Sequence, residues 1–207
     1  MTTTYTPHPL YGGAIKGLIP NNWIDASTLR QIPDHQELYL SPTTLSTLIY
    51  EINEYVPTST SLSTLTNYPH LLPPTQSQSQ SQSTEQESLD RAAIIYHLHD
   101  LLDEGDELEI IKPPARIHLT KVSSGRGYTG CAVFKSKSKS KGKETTTTKC
   151  CFLVVRLEEQ ETDLVIWGNV PGEELGGEEL MREEEVMGGL VGELVRELEV
   201  VEWDLFG

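Results

Sequence analysis

Asp25, Arg30, Asp34, Gln36 and Glu37 bring three carboxylates, a guanidinium and a carboxamide into one short stretch of this chain. Such a set suits either acid–base chemistry or directional ion pairing with the charged groups of a partner. Asp34-His35 with Glu37 invites the acid–base reading, but no nucleophile motif stands beside it. The chain has no GxSxG and no cysteine with a supporting signature. The binding reading takes in more residues. Glu51 and Glu54 extend the negative charge of Asp25, Asp34 and Glu37, while Arg30 and Gln36 supply directional donors. Arg30 also has a purely structural alternative, pairing with Asp25 or Asp34 to hold a turn. Leu29, Ile32 and Trp23 are the apolar neighbours, with Trp23 either an anchor for a partner or part of the core.

Two other groupings carry possible chemistry. Gly125 to Gly130 spells GxGxxG, but a dinucleotide site needs a strand before the loop and a helix start after it. Here Cys131 to Phe134 follows and is strand-like, so the segment reads as a glycine-rich hairpin turn. His97-x-His99 would share one face of a strand, a geometry that a metal can use. No third ligand accompanies the pair, and an ordinary partly buried histidine is the simpler reading. No catalytic residue, cofactor or metal is assigned.

The elements that position the first cluster begin with Gly12-Gly13, a tight turn ahead of the apolar run Ala14 to Ile19. Pro20-Asn21-Asn22 ends that run, Asp25 stands as an N-cap before the short turn Ala26 to Arg30, and Glu37 to Leu40 reads as a strand. Leu45, Leu48, Ile49, Ile52, Tyr55 and Val56 fall at helical spacing, so a helix is expected over Pro42 to Val56. Ser41 would be its N-cap and Pro57 its end. That helix would set Glu51 and Glu54 side by side. Over Glu85 to Asp103, propensity extends a helix to Leu102, whereas Ile94-Ile95-Tyr96 is strand-like. Strands are expected at Arg116 to Val122, Tyr128 to Phe134, Lys149 to Leu157 and Thr162 to Asn169. An amphipathic helix over Glu178 to Glu199 presents Met187, Leu190, Val191, Leu194 and Leu198 as its stripe. Its Gly188, Gly189 and Gly192 would permit close approach to a sheet. The Gln-Ser repeat and the Lys-Ser run are too polar to join a core and read as disordered inserts near 75–86 and 135–148 of one domain.

The net charge of −15 is lopsided: residues 158–207 hold sixteen Asp and Glu against Arg182 and Arg196. That distribution argues against nucleic acid, whose phosphates need a basic surface, and suits a basic protein partner. Much of the excess reads as a solubilising face of the last helix. No apolar run is long enough to span a bilayer, and no signal-peptide pattern opens the chain. Three cysteines, two of them adjacent, match a reducing compartment. A soluble intracellular monomer is expected.

Leu10 to Ile15, Pro20, Ile24 to Ser27, Leu29-Arg30, Pro33-Asp34 and Gln36-Glu37 together resemble the Mog family of Ran-binding nuclear-import factors, the Ran guanine-nucleotide release factors. Thr162 to Ile166, Asn169 to Pro171, Val200-Val201 and Leu205 to Gly207 match further on. The resemblance implies an α+β fold, a twisted, mainly antiparallel β-sheet with helices on both faces. It also favours a strand from near Ile94. It implies binding to the small GTPase Ran, release of its guanine nucleotide, and a place in both nucleus and cytoplasm. Asp25, Arg30, Asp34, Gln36, Glu37, Glu51 and Glu54 would form the Ran surface. The photosystem II protein PsbP shares this architecture, so a protein- or cation-binding module without Ran activity is the alternative reading.

Overall fold

The computed structural model describes residues 4–71, 85–136, 145–172 and 175–206. The elements run β1 Tyr5–Leu10, β2 Ile15–Pro20, β3 Ile24–Asp25, β4 Gln36–Leu40, β5 Thr47–Glu54, α1 Thr58–Asn67, α2 Glu85–Asp100 and β6 Glu107–Ile117. They continue with β7 Arg126–Ser136, β8 Thr146–Leu157, β9 Thr162–Pro171, α3 Gly177–Glu197 and β10 Glu199–Val200. Seven strands form a sheet in the order β3-β4-β5-β9-β8-β7-β6, and β1-β2-β10 form a smaller one. Every pairing is antiparallel.

Because side chains alternate across a strand, the central strands divide their apolar residues between two cores. Leu48 and Tyr50 of β5, Leu153 and Val155 of β8, and Leu164 and Ile166 of β9 pack with α3 and the small sheet. Phe152, Val154, Val165 and Trp167 face the other way, against Ile94, Ile95 and Leu98 of α2. Helices therefore cover both faces, as the α+β expectation required. The stripe of α3 is buried as read from its period, from Met187 to Leu198.

Three expectations are corrected. Pro42 to Val56 is no helix. Residues 47–54 form β5, paired to β4 on one side and β9 on the other. Leu48, Ile49 and Ile52 satisfy both periods, but a central strand is covered on both faces, so its apolar residues need not alternate with polar ones. Ser41 does accept the backbone N–H of Thr44, as a cap would, yet only a turn follows. Pro57 opens α1 rather than ending a helix. Around residue 94 the chain stays helical to Asp100, as propensity indicates and against the strand that the family resemblance favours. Finally, the strand expected over 116–122 lies earlier, as β6.

Gly127 and Gly130 of the GxGxxG lie inside β7, not in a hairpin turn. A Cβ on Gly130 would meet Phe152 Cζ at 2.4 Å and the Lys112 carbonyl oxygen at 2.7 Å, so close packing explains this glycine. Of the α3 glycines, Gly188 and Gly192 face open space, and Gly189 lies against the Tyr5 hydroxyl rather than a strand of the large sheet. Most residues of the expected inserts lie outside the described set. Of their margins, residues 85–86 open α2, while 135–136 and 146–148 belong to β7 and β8.

Candidate partner-binding surface

Residues 26–35 connect β3 to β4 at one edge of the large sheet, and the chain fastens both ends of this connection. At its start the Asp25 carboxylate accepts the Ser27 N–H at 2.8 Å and caps a single 3-10 turn, Ala26–Thr28, as read from the sequence. Fully buried Ala26 anchors that turn. At its end the His35 carbonyl accepts from the Ile52 N–H at 2.9 Å and the Tyr11 hydroxyl at 3.1 Å. Between these points Leu29, Arg30 and Asp34 are exposed, with Leu29 at 65%.

Glu37 serves the inside of this edge. One carboxylate oxygen accepts the Tyr11 backbone N–H and the other accepts the Tyr39 hydroxyl at 2.6 Å. Tyr11 is held at a φ of 50°, ahead of Gly12 at 67° and Gly13 at 104°, so the expected turn exists and Glu37 pins its first residue. Burial, then the bond to Glu37, holds the Tyr39 hydroxyl well above its usual ionisation range. Both oxygens of Glu37 are therefore committed within the chain.

Gln36 and Glu51 stand opposite one another on β4 and β5, on the face away from Glu37. The Gln36 amide donates to Glu51 Oε1 at 2.6 Å, and the Trp167 indole donates to Glu51 Oε2 at 3.1 Å. His35 Nε2 approaches the same carboxylate at 3.9 Å. Glu54 is exposed at the end of β5, three residues on, and so faces opposite to Glu51 instead of beside it. Arg30 makes no ion pair with Asp25 or Asp34 among the described residues, and Trp23 packs half-buried on the core.

The structure thus spreads the seven candidates over β3, β4, β5 and the 26–35 connection, and sorts them. Arg30, Asp34 and Glu54 are exposed and have no ion-pair partner among the described residues, whereas Asp25, Gln36, Glu37 and Glu51 hold the edge in shape. Tyr11, Tyr39 and Trp167, which complete the bonding, were not singled out from sequence. For Tyr39 the signal was available, since positions 37 and 39 of a strand share a face.

A second polar cluster lies under α2. Arg156, 1% exposed, donates to Asp90 of α2 and Asp163 of β9, both at 3.0 Å, and to the Val56 carbonyl at 2.7 Å. Arg126 and Tyr128 also reach Asp90. His97 Nε2 lies 2.8 Å from Asp163, and the His99 ring sits 4.4 Å from that of Tyr68. On a helix the two histidines diverge, which removes the shared strand face that a metal would have used. No group of three or more potential metal ligands occurs among the described residues. Every inward donor and acceptor in the cluster is matched, which marks it as a fastening between α2, β9 and the residues before α1.

Comparison with known proteins adds the following. A family described as Ran-interacting Mog1 protein matches residues 8–171. The Ran guanine nucleotide release factor of Danio rerio is 28% identical over 172 residues, covering 79% of this chain and 76% of that protein. The nuclear import protein MOG1 of Saccharomyces cerevisiae is 28% identical over 202 residues, 95% of this chain and 83% of that one. A probable ran guanine nucleotide release factor of Dictyostelium discoideum is 44% identical over 55 residues, 28% of its length. In fold, the chain superposes on the solved Saccharomyces cerevisiae Ran-binding protein Mog1p with a TM-score of 0.62 and 22% identity, covering all of both chains.

Proposed function

This chain belongs to the family of Ran-interacting Mog1 proteins, and from that membership we propose that it binds the GTPase Ran and promotes guanine-nucleotide release in nuclear protein import. It acts by binding, as a monomer that works in nucleus and cytoplasm. The mechanism needs only differential affinity. A factor that holds the nucleotide-free partner more tightly than the loaded one must, by linkage, weaken the nucleotide's hold. Carboxylates suit the task, because nucleotide phosphates are held by lysine and by backbone N–H groups that an acidic side chain can engage instead.

The contact residues follow from the sorting of the edge. Arg30, Asp34 and Glu54, with exposed Leu29, meet Ran; Asp25, Gln36, Glu37 and Glu51 act behind them as positioning residues. The observation that carries this reading is the 26–35 connection, fastened at both ends yet presenting an exposed cation, an exposed anion and a large apolar side chain between them. A preorganised surface loses less entropy on binding.

The test is release of a fluorescent guanine nucleotide from loaded Ran. The protein accelerates release, and Arg30→Glu combined with Asp34→Lys lowers affinity for nucleotide-free Ran at least about tenfold, roughly 1.4 kcal/mol. Thermal unfolding stays unchanged, because neither side chain is bonded among the described residues. Unaltered binding by the double variant would remove this surface from consideration. No acceleration and no binding by the parent protein would overturn the function itself.

A further inference from the structure

Cys131 of β7 and Cys151 of β8 are directly opposed in register, and their sulfur atoms lie 3.2 Å apart. All three cysteines are free thiols. Directly opposed residues in an antiparallel pair have Cα atoms about 4.5 or 5.5 Å apart, inside the span of about 4.4–6.8 Å that a disulfide requires. Both thiols therefore project from one face with backbone spacing already suited to a bond. Adjacent Cys150 points to the opposite face, where it is fully buried in the core under α2. We propose that Cys131 and Cys151 form a redox-active dithiol, a modification site that closes to an intrachain disulfide on reaction with a hydroperoxide.

The surroundings favour reaction at this pair. Cys151 is half-buried, so an oxidant reaches it, whereas Cys131 is 2% exposed and is reached only by its partner sulfur. Lys112 of β6 and Lys149 of β8 bring positive charge to the pair, and Glu184 of α3, itself bonded to Lys149, offsets part of it. The Cys151 S–H donated to Cys131, with help from the two lysines, lowers the Cys131 thiol to about 7, while that same contact and burial push Cys151 up. One proton is shared between two sulfurs in contact, so either can carry the thiolate. The Cys151 thiolate attacks the peroxide oxygen, the O–O bond breaks, and the departing alkoxide or hydroxide takes a proton. Cys131 then attacks the resulting sulfenic sulfur and expels hydroxide, which takes up the Cys131 proton to leave as water. Two thiols are oxidised by two electrons, and the hydroperoxide is reduced to an alcohol and water. Closure draws the sulfurs from 3.2 Å to about 2.05 Å.

The experiment treats the full chain with hydrogen peroxide, then counts free thiols with a maleimide and maps linkages by non-reducing peptide mass spectrometry. Two of the three thiols vanish, a single Cys131–Cys151 linked peptide appears, and dithiothreitol restores both. Reaction quickens as pH rises through about 7. Cys131→Ala or Cys151→Ala abolishes the linkage, while Cys150→Ala leaves it. Reaction of the untreated chain with a trivalent arsenical, which bridges neighbouring dithiols, independently reads their spacing in a variant-free protein. A linkage through Cys150, oxidation of Cys151 to sulfinic acid without a bridge, only intermolecular disulfides, or three thiols persisting would each overturn the proposal. None of these readouts involves Ran.

Discussion

Glu37 illustrates how an acidic residue in a candidate binding stretch can belong to the fold. Its two oxygens hold the Tyr11 N–H and the Tyr39 hydroxyl, joining the β1–β2 turn to β4. Hydrogen bonds to a charged group contribute about 1.5–3 kcal/mol. Glu37→Ala is therefore expected to lower unfolding free energy by roughly that amount in urea titrations, with Ran affinity falling through displacement of the neighbouring connection. A variant of unchanged stability that still lost Ran binding would instead make Glu37 a direct contact. Asp25 was legible as a cap because a cap's partner lies two residues away. The partners of Glu37 include one 26 residues back along the chain, and no local pattern connects them. Residues whose role is local can be read from sequence; residues whose role is to bridge elements wait for the topology.

The same limit operates on whole elements. Strands β7, β8 and β9 were legible because apolar β-branched and aromatic residues dominate them, and the stripe of α3 because a face buried along its whole length imposes its period on the sequence. β5 was not, since Leu48, Ile49, Ile52, Tyr55 and Val56 also fall at helical spacing. β6 was misplaced: it begins at Glu107 and carries Pro113-Pro114 within it, at the sheet edge, with register shifts between Ile110 and Ala115. Edges and irregularities are where a sheet accepts proline. The polar cluster beneath α2 was invisible for another reason: its members come from five separate segments. Arg156→Ala removes the cation between two buried carboxylates and is expected to cost about 3–5 kcal/mol at neutral pH. Burial would raise the ionisation of Asp90, but its bonds to Arg126 and the charge of Arg156 outweigh that and place it below the ordinary carboxylate value. A carboxylate depressed in the folded state contributes stability that is complete above its unfolded value, about 3.9, and is lost as pH falls through the lower folded one. The gap between parent and Arg156→Ala should hence be full above about pH 4 and narrow below it, as urea unfolding across that range will show. A gap independent of pH would mean that packing of the Arg156 stem, not its charge, holds α2 in place.

At the scale of the molecule, what matters is where the acidic half of the sequence comes to rest. Much of it is consumed at home: Glu184 pairs with Lys149, Glu193 with Arg196, Glu197 with Lys121 and Glu199 with Lys16. The β8–β9 turn is different. It carries exposed Glu158, Glu159 and Glu161, and the Glu161 carbonyl accepts the Tyr55 N–H immediately beyond Glu54. This turn therefore stands at the same end of the sheet as the start of β4 and the connection before it. Only Glu158 of its acids has an ion-pair partner among the described residues, Arg126. Charge placed beside a binding surface, not within it, steers encounter more than it strengthens the complex. Association with Ran should accordingly slow on the order of tenfold from low to high salt. Glu159→Gln with Glu161→Gln should lower the association rate and its salt dependence while leaving dissociation nearly unchanged. Stopped-flow mixing with nucleotide-free Ran at several salt concentrations separates the two rates. A change confined to dissociation would place these side chains in direct contact with Ran and enlarge the surface toward β9. A salt-independent association rate would assign the net charge of −15 to solubility alone.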